Sequence, residues 1–152
     1  MTEKKEVLSI EEQESIAAAV LALVKSYKEF PKTITEKQIH IDELKSEVCM
    51  GIFPTAGAVV TKRYLSGSFE AQFPFDVCYK CNPTTDSAVL DARKVLEGLA
   101  KWMESTIYPK LSDGTEIQRI SRVTTAILAG KTKDGASVFK CSCTLKYFKK
   151  RR

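Results

Sequence analysis

From Phe69 to Cys81 the chain alternates without interruption. Phe69, Ala71, Phe73, Phe75, Val77, Tyr79 and Cys81 take the odd positions, and Glu70, Gln72, Pro74, Asp76, Cys78 and Lys80 the even ones. Side chains leave a strand on opposite faces in turn, so this pattern predicts one long strand with a buried face and a wetter face. Such a strand needs partners on its edges and a layer over its apolar side. Pro74 has no amide donor, which implies a bulge or a locally unpaired edge there.

The flanking segments supply that layer. Leu8–Phe30 reads as a helix with Ile16, Val20, Leu23, Val24 and Tyr27 at helical spacing and Pro31 as its stop. Ser9 caps it, and Glu12 three residues on suggests a capping box. A second helix follows Asn82–Pro83, capped by Thr85 or Asp86 and stopped by Pro109. Val89, Ala92, Leu96, Leu99 and Met103 form its stripe, broadened by Val95 and Trp102. Gly98 inside it costs up to about 1 kcal/mol against alanine, which a close neighbour would explain.

Extended structure is expected at Val48–Phe53 and Val59–Leu65, joined by a "PTAG" turn, with a tight turn at Ser66–Ser68. Ile39–His40–Ile41 suits a brief pairing at most, with His40 as an exposed polar residue. A final hairpin runs from Ile117 to Ile127, turns at Lys133–Gly135 and returns with Phe139, Cys141, Cys143, Leu145 and Tyr147 on one face. The fold class is therefore α+β: a largely antiparallel sheet of about five strands with two packed helices, in the order α-β-β-β-α-β-β. The 152 residues suit a single domain, residues 1–152, with 1–8 and 149–152 as flexible tails.

"CYKC" invites a metal or redox reading, and the alternation argues against it. Residues three apart in a strand face opposite ways, whereas a zinc knuckle needs a tight turn between its ligands. Cys141 and Cys143 lie mid-strand. A redox dithiol needs its first cysteine at a helix N-terminus, but "NPTT" intervenes here. Buried free thiols are the favoured reading, and no metal or other cofactor is expected. With one histidine, no G-x-S-x-G and no phosphate-binding glycine loop, the chain does not read as an enzyme. No apolar run is long enough to cross a bilayer, and the start lacks a signal peptide, so a protein kept in a cytosol is expected.

Charge points to the end of the chain. The formal net charge is +5, yet without Lys146, Lys149, Lys150, Arg151 and Arg152 the remaining 19 basic residues equal the 19 acidic ones. Such a tail is either a solvated terminus or a contact for phosphate or an acidic protein.

The segment "GIFPTAGAVVTKRYLSGSFEAQFPFDVCYK" carries a further signal. A strand is followed by Pro54, Thr55 and Gly57, then Tyr64 and Gly67, then Phe73–Pro74–Phe75. A helix with a late tryptophan ("VLEGLAKWMES") and a closing aromatic strand ("CTLKYFKK") complete the order. This succession, from about Glu47 to the C-terminus, resembles the minor capsid proteins of long-tailed bacteriophages, which are similar to tail terminators. The cysteines and the "KKRR" ending are not part of that pattern. The resemblance implies a ring, typically a hexamer, that caps the finished tail tube, stops its polymerisation and offers a docking surface to the head. The partners it implies are other copies of the chain, the tail tube protein and the head-completion or connector protein. DNA passing through the ring is a further contact, and no membrane is involved. The implied location is the head-proximal end of the virion tail, after assembly in the host cytoplasm. The candidate interface comprises the turn Tyr64, Ser66, Gly67 and Ser68, the hairpin tip Lys131, Lys133 and Asp134, and the tail Lys149, Lys150, Arg151 and Arg152. The alternative from another class is a nucleic-acid-binding accessory protein acting through that tail.

Overall fold

A computed structural model describes residues 8–31, 34, 38–44, 48–111 and 114–150. Helix α1 spans Ile10–Lys25, and the Oγ of Ser9 accepts from the amide of Glu12 at 3.3 Å. The expected box is half made, because the Glu12 carboxylate accepts instead from Lys149. The helix stops at Lys25, not at Phe30. Ser26 caps it, with its hydroxyl donating to the Leu23 carbonyl at 2.6 Å, and Tyr27 packs outside the helix against Trp102. Helix α2 spans Asp86–Ser105, with the Thr85 hydroxyl accepting from the amide of Ala88 at 3.1 Å. A Cβ at Gly98 would lie 3.1 Å from the Tyr27 hydroxyl, so the glycine marks where the segment after α1 crosses α2.

Among the described residues, seven strands form one mixed sheet: β1 Ile39–Ile41, β2 Cys49–Pro54, β3 Val59–Arg63, β4 Phe69–Cys81, β5 Thr115–Arg122, β6 Ile127–Lys131 and β7 Ser137–Lys149. The α+β class holds, but five strands was too few and the predicted order changes with it. β1 is a real strand, parallel to β2, and the run expected from Ile117 to Ile127 is split into β5 and β6. His40 is largely covered within β1, and its Nε2 is buried with no hydrogen-bond partner among the described residues. Leu8 and Lys149, expected in loose tails, are fastened: the Leu8 amide donates to Ala58 at 3.1 Å, and Lys149 ends β7 and pairs with Glu12.

β4 and β7 are the axis of the sheet, paired antiparallel along all thirteen residues of each. Their odd positions from Ala71 to Cys81 and from Ser137 to Tyr147 are buried, with Phe73, Phe75, Phe139, Leu145 and Tyr147 at 1% exposure or less. Burying each large apolar side chain contributes about 1.5–3 kcal/mol. Ile16, Val20, Val24, Leu96, Leu99 and Met103 of the helices join the same core.

"PTAG" does not reverse the chain. β2 and β3 both run antiparallel to β4, one beyond the other along the same edge, so residues 55–58 interrupt one broken outer strand. β5 and β6 stand in the same relation to β7, with their break at residues 123–126.

An internal two-fold relation follows from the numbering. Adding 68 to β3 and β4 gives β6 and β7 residue for residue, and Pro54 at the end of β2 becomes Arg122 at the end of β5. The pair Val60↔Ala71 maps to Leu128↔Phe139, and the bulge between Val60 and Lys62 maps to that between Leu128 and Gly130. Phe75 pairs with Cys143, its own counterpart, so the local two-fold axis passes through that pair. Only four of the 33 aligned positions are identical. Gly67 and Gly135 hold left-handed turns with φ of 89° and 85°, a conformation that costs glycine least. Ala58 and Ala126 are buried in the two breaks, and Ile52/Ile120 and Tyr79/Tyr147 are core.

Candidate interaction surface

The turns expected to reach a neighbour close the hairpins β3–β4 and β6–β7. In both, the first residue donates to the fifth and the fourth to the first: Tyr64 to Ser68 at 2.9 Å and Gly67 to Tyr64 at 2.9 Å, Thr132 to Ala136 at 2.8 Å and Gly135 to Thr132 at 3.0 Å. The pairings Phe69↔Lys149 and Cys81↔Ser137 put the two turns at opposite ends of the sheet. At about 3.4 Å per residue the ends are roughly 40 Å apart. The candidate residues therefore fall into two separate groups.

At the first end, the Tyr64 ring packs 6.0 Å from that of Phe148, its hydroxyl donates to Glu70 at 3.1 Å, and Lys62 lies 5.1 Å from the ring centre. Leu65 is wholly exposed, and Ser66 accepts from the Ser68 amide at 3.4 Å. Ser68 is buried, which corrects its placement on an outer surface. Lys149 is held by Glu12, Lys150 is exposed, and Arg151 and Arg152 lie outside the described residues. At the other end, Lys131 and Lys133 are exposed, and Asp134 accepts from the Thr132 hydroxyl and lies 3.6 Å from the buried Lys80 ammonium. The Thr132 hydrogen bond, then Lys80, holds the Asp134 carboxyl below its ordinary range.

The second break is the region that sequence reasoning missed. Arg122 bridges Glu97 and Glu104 of α2 at 2.6 Å each, and Glu97 also accepts from the Ala126 amide at 2.7 Å. Hydrogen bonding to Glu104 holds the guanidinium in its charged form. Beyond this anchor Val123, Ile127 and Leu128 are exposed at 65%, 43% and 45%. The available signal was the uncharged run from Val123 to Gly130 in an edge strand.

The thiols face two ways. Cys78 lies on the outer side, while Cys81, Cys141 and Cys143 belong to the core under the helices. Cys141 donates to the Thr124 carbonyl at 3.3 Å. Burial, then the Asp76 carboxylate, pushes the Cys78 thiol up to about 11. Cys143 is raised by its hydrogen bond to Cys141 and by burial. Among the described residues, no three of His, Cys, Asp and Glu gather as a metal site, and no helix is long and apolar enough to cross a membrane.

The surface features are thus two hairpin turns at opposite ends of the sheet, the first uncharged but flanked by Lys62, Arg63 and Lys150, the second carrying Lys133 and Asp134, and an uncharged strand edge. A scan of known protein families finds no model that matches the chain, and a search of curated proteins finds no relative.

Proposed function

We propose that this chain is a structural tail-completion protein of a long-tailed bacteriophage. It forms a ring, in hexameric form as in tail terminators, on the end of the tail tube. The ring blocks further addition of tube subunits and presents a surface to the head connector at the head-proximal end of the tail. It acts through surfaces alone, without covalent chemistry. One face complements the last tube ring, and the other does not repeat it.

The observation that carries this reading is the ordered motif series from Pro54 to the closing aromatic strand. One backbone contact ties two of its motifs together. Thr55 donates to the carbonyl of Pro74 at 3.1 Å, so the Pro-Thr-x-Gly and Phe-Pro-Phe elements meet across one strand pair. A cyclic ring closes through two unlike patches on each subunit, and the two turns at opposite ends of the sheet offer such a pair.

The test is mass measurement with and without purified tail tubes, alongside tube length. The expected result is a ring of uniform stoichiometry on tube ends and an arrest of tube growth. A chain that never caps tubes and leaves their length unchanged refutes the proposal. Salt-sensitive DNA binding lost on deleting residues 149–152, with no capping, would instead favour the nucleic-acid reading.

A further inference from the structure

Helix α1 carries more apolar surface than its core requires. Beside the buried stripe of Ile16, Val20, Leu23 and Val24 runs a second one at intervals of three and four: Ile10, Gln13, Glu14, Ala17, Ala18 and Leu21. A helix with one buried face ordinarily turns a polar face outward. Here the second stripe is one wall of an open groove of about 510 Å³. Clefts that bury a ligand hold roughly 300–1,000 Å³. The facing wall is Ile41 and Pro54, with the break at residues 55–57. Gln13 fixes the join between the walls. It donates to the Leu8 carbonyl at 2.8 Å, and a Cβ at Gly57 would lie 3.0 Å from its side-chain amide. The charges in the lining are the carboxylates of Glu14 and Asp42, with no basic residue there among the described residues.

The tip of the first hairpin has the complementary chemistry. Leu65 is bare at its apex, and Tyr64 is exposed beside it. Between Thr61 and Ser68 the only charged residues are Lys62 and Arg63, both exposed. The left-handed Gly67 and the two backbone hydrogen bonds of Tyr64 hold the tip in shape. A knob ordered in advance loses little freedom when it docks. The tip of the other hairpin, residues 132–135, has no large apolar side chain.

We infer that the first hairpin tip of one copy seats in the α1 groove of the next. Leu65 lies against Ala17, Ala18 and Leu21, and Lys62 and Arg63 face Glu14 and Asp42. A second copy is the occupant that fits, because an apolar groove with acidic lining meets an apolar tip with basic flanks on the same chain. Knob and socket are different patches, so the contact is heterologous and repeats head to tail. Of the two turns, the first thus meets this groove and not the second turn. Pro-Thr-x-Gly lines the socket and Tyr-x-x-Gly forms the knob, which gives both motifs a task in one contact. This names the subunit contact of the proposed ring and rests on that reading for its closure.

Sedimentation of the full chain without tail tubes, across a dilution series, tests it. Concentration-dependent assembly that weakens with added salt is expected. Leu65→Asp, at an exposed turn, should weaken it at least about tenfold. Ala18→Arg should do the same; the site is exposed, and arginine is nearly as good a helix former as alanine. An equal mixture of the two variants keeps one good groove and one good tip, so it should give a dimer and nothing larger. A wild type monomeric at every concentration overturns the inference and leaves the groove to residues 1–7 or to another protein. Variants that assemble like the wild type, or a mixture that stays monomeric, overturn it as well. Tube capping separates the two proposals. Capping that ignores Leu65→Asp refutes this contact and spares the ring, whereas a mixture that dimerises beside a wild type that never caps tubes keeps the contact and refutes the ring.

Discussion

The two strand breaks pose one problem and solve it with different residues. In each, residues leave the outer strand line, and one residue of the long inner strand is left without a ladder partner for its amide position. In the first break, the inner residue opposite is Pro74, whose carbonyl accepts from Thr55 and which has no amide to satisfy. In the second it is Ser142. Its carbonyl accepts from Val123 at 2.8 Å, and its amide donates to the Thr124 hydroxyl at 3.1 Å. The counterpart of Thr124 is Ala56, which has no hydroxyl and faces a proline that needs none. Deleting the donor and supplying a side-chain acceptor are equivalent answers to an amide without a ladder partner.

The largest way to break the comparison lies on the axis itself, where Phe75 and Cys143 are both essentially fully buried. Phe75→Ala should cost about 3–5 kcal/mol in denaturant unfolding, and Cys143→Ala about 1 kcal/mol, because the cavity scales with the volume removed. Equal losses would show that the halves share the core in a way that their geometry does not suggest.

Proline placement sharpens it next. Ser142 and Thr144 point to the same side of β7, but Thr144 faces intact β5 and Ser142 faces the break. Thr144→Pro removes a ladder hydrogen bond and should cost about 2–3 kcal/mol. Ser142→Pro copies the first half and should cost only about 1 kcal/mol, from losing the 2.5 Å bond of its hydroxyl to Asp76. Thermal melts of the pair decide it, and a Ser142→Pro variant as unstable as Thr144→Pro would refute the equivalence of the breaks.

Thr124→Ala leaves the Ser142 amide unpaired and should cost about 1 kcal/mol. In the Ser142→Pro background the same change should cost almost nothing, so the double-mutant cycle measures the device directly.

The smallest effect is confined to alkaline pH. Cys78 titrates near 11 in the folded chain against an ordinary 9.0. The unfolded thiol releases its proton first, so its contribution to stability is fully present below about 9 and is lost as pH rises through about 11. Cys78→Ser should flatten that part of the pH–stability curve, and its alkylation at pH 8 should be slower than that of an unfolded-chain thiol.

Much of this was written in the sequence. The alternation of Phe69–Cys81 and of Phe139–Tyr147, the caps Ser9 and Thr85, and the proline opposite a discontinuity each express a local rule. The breaks were not legible. "PTAG" suits a reversal or an offset equally, and the strand that the chain meets next decides which. Val123–Thr124–Thr125 carries no glycine or proline; the chain departs there because Glu97 of α2 takes the Ala126 amide. The two-fold relation was hidden because the halves share a residue only at four positions, each with a fixed steric task. Of the interface residues, the exposed turns could be read from their chemistry. Ser68 could not, since its burial depends on packing beside the hairpin, and the β6 edge became visible only once its place in the sheet was known.

The axial pairing of β4 with β7 also sets a schedule. Its partners are 56 positions apart at Cys81–Ser137 and 80 apart at Phe69–Lys149. At about 5–20 residues per second, a ribosome delivers β7 several seconds after β4. During that interval Phe73, Phe75 and Val77 emerge on a strand with one flank vacant. The nascent first half must wait with its central rib open, and slow, length-dependent folding is built into the topology.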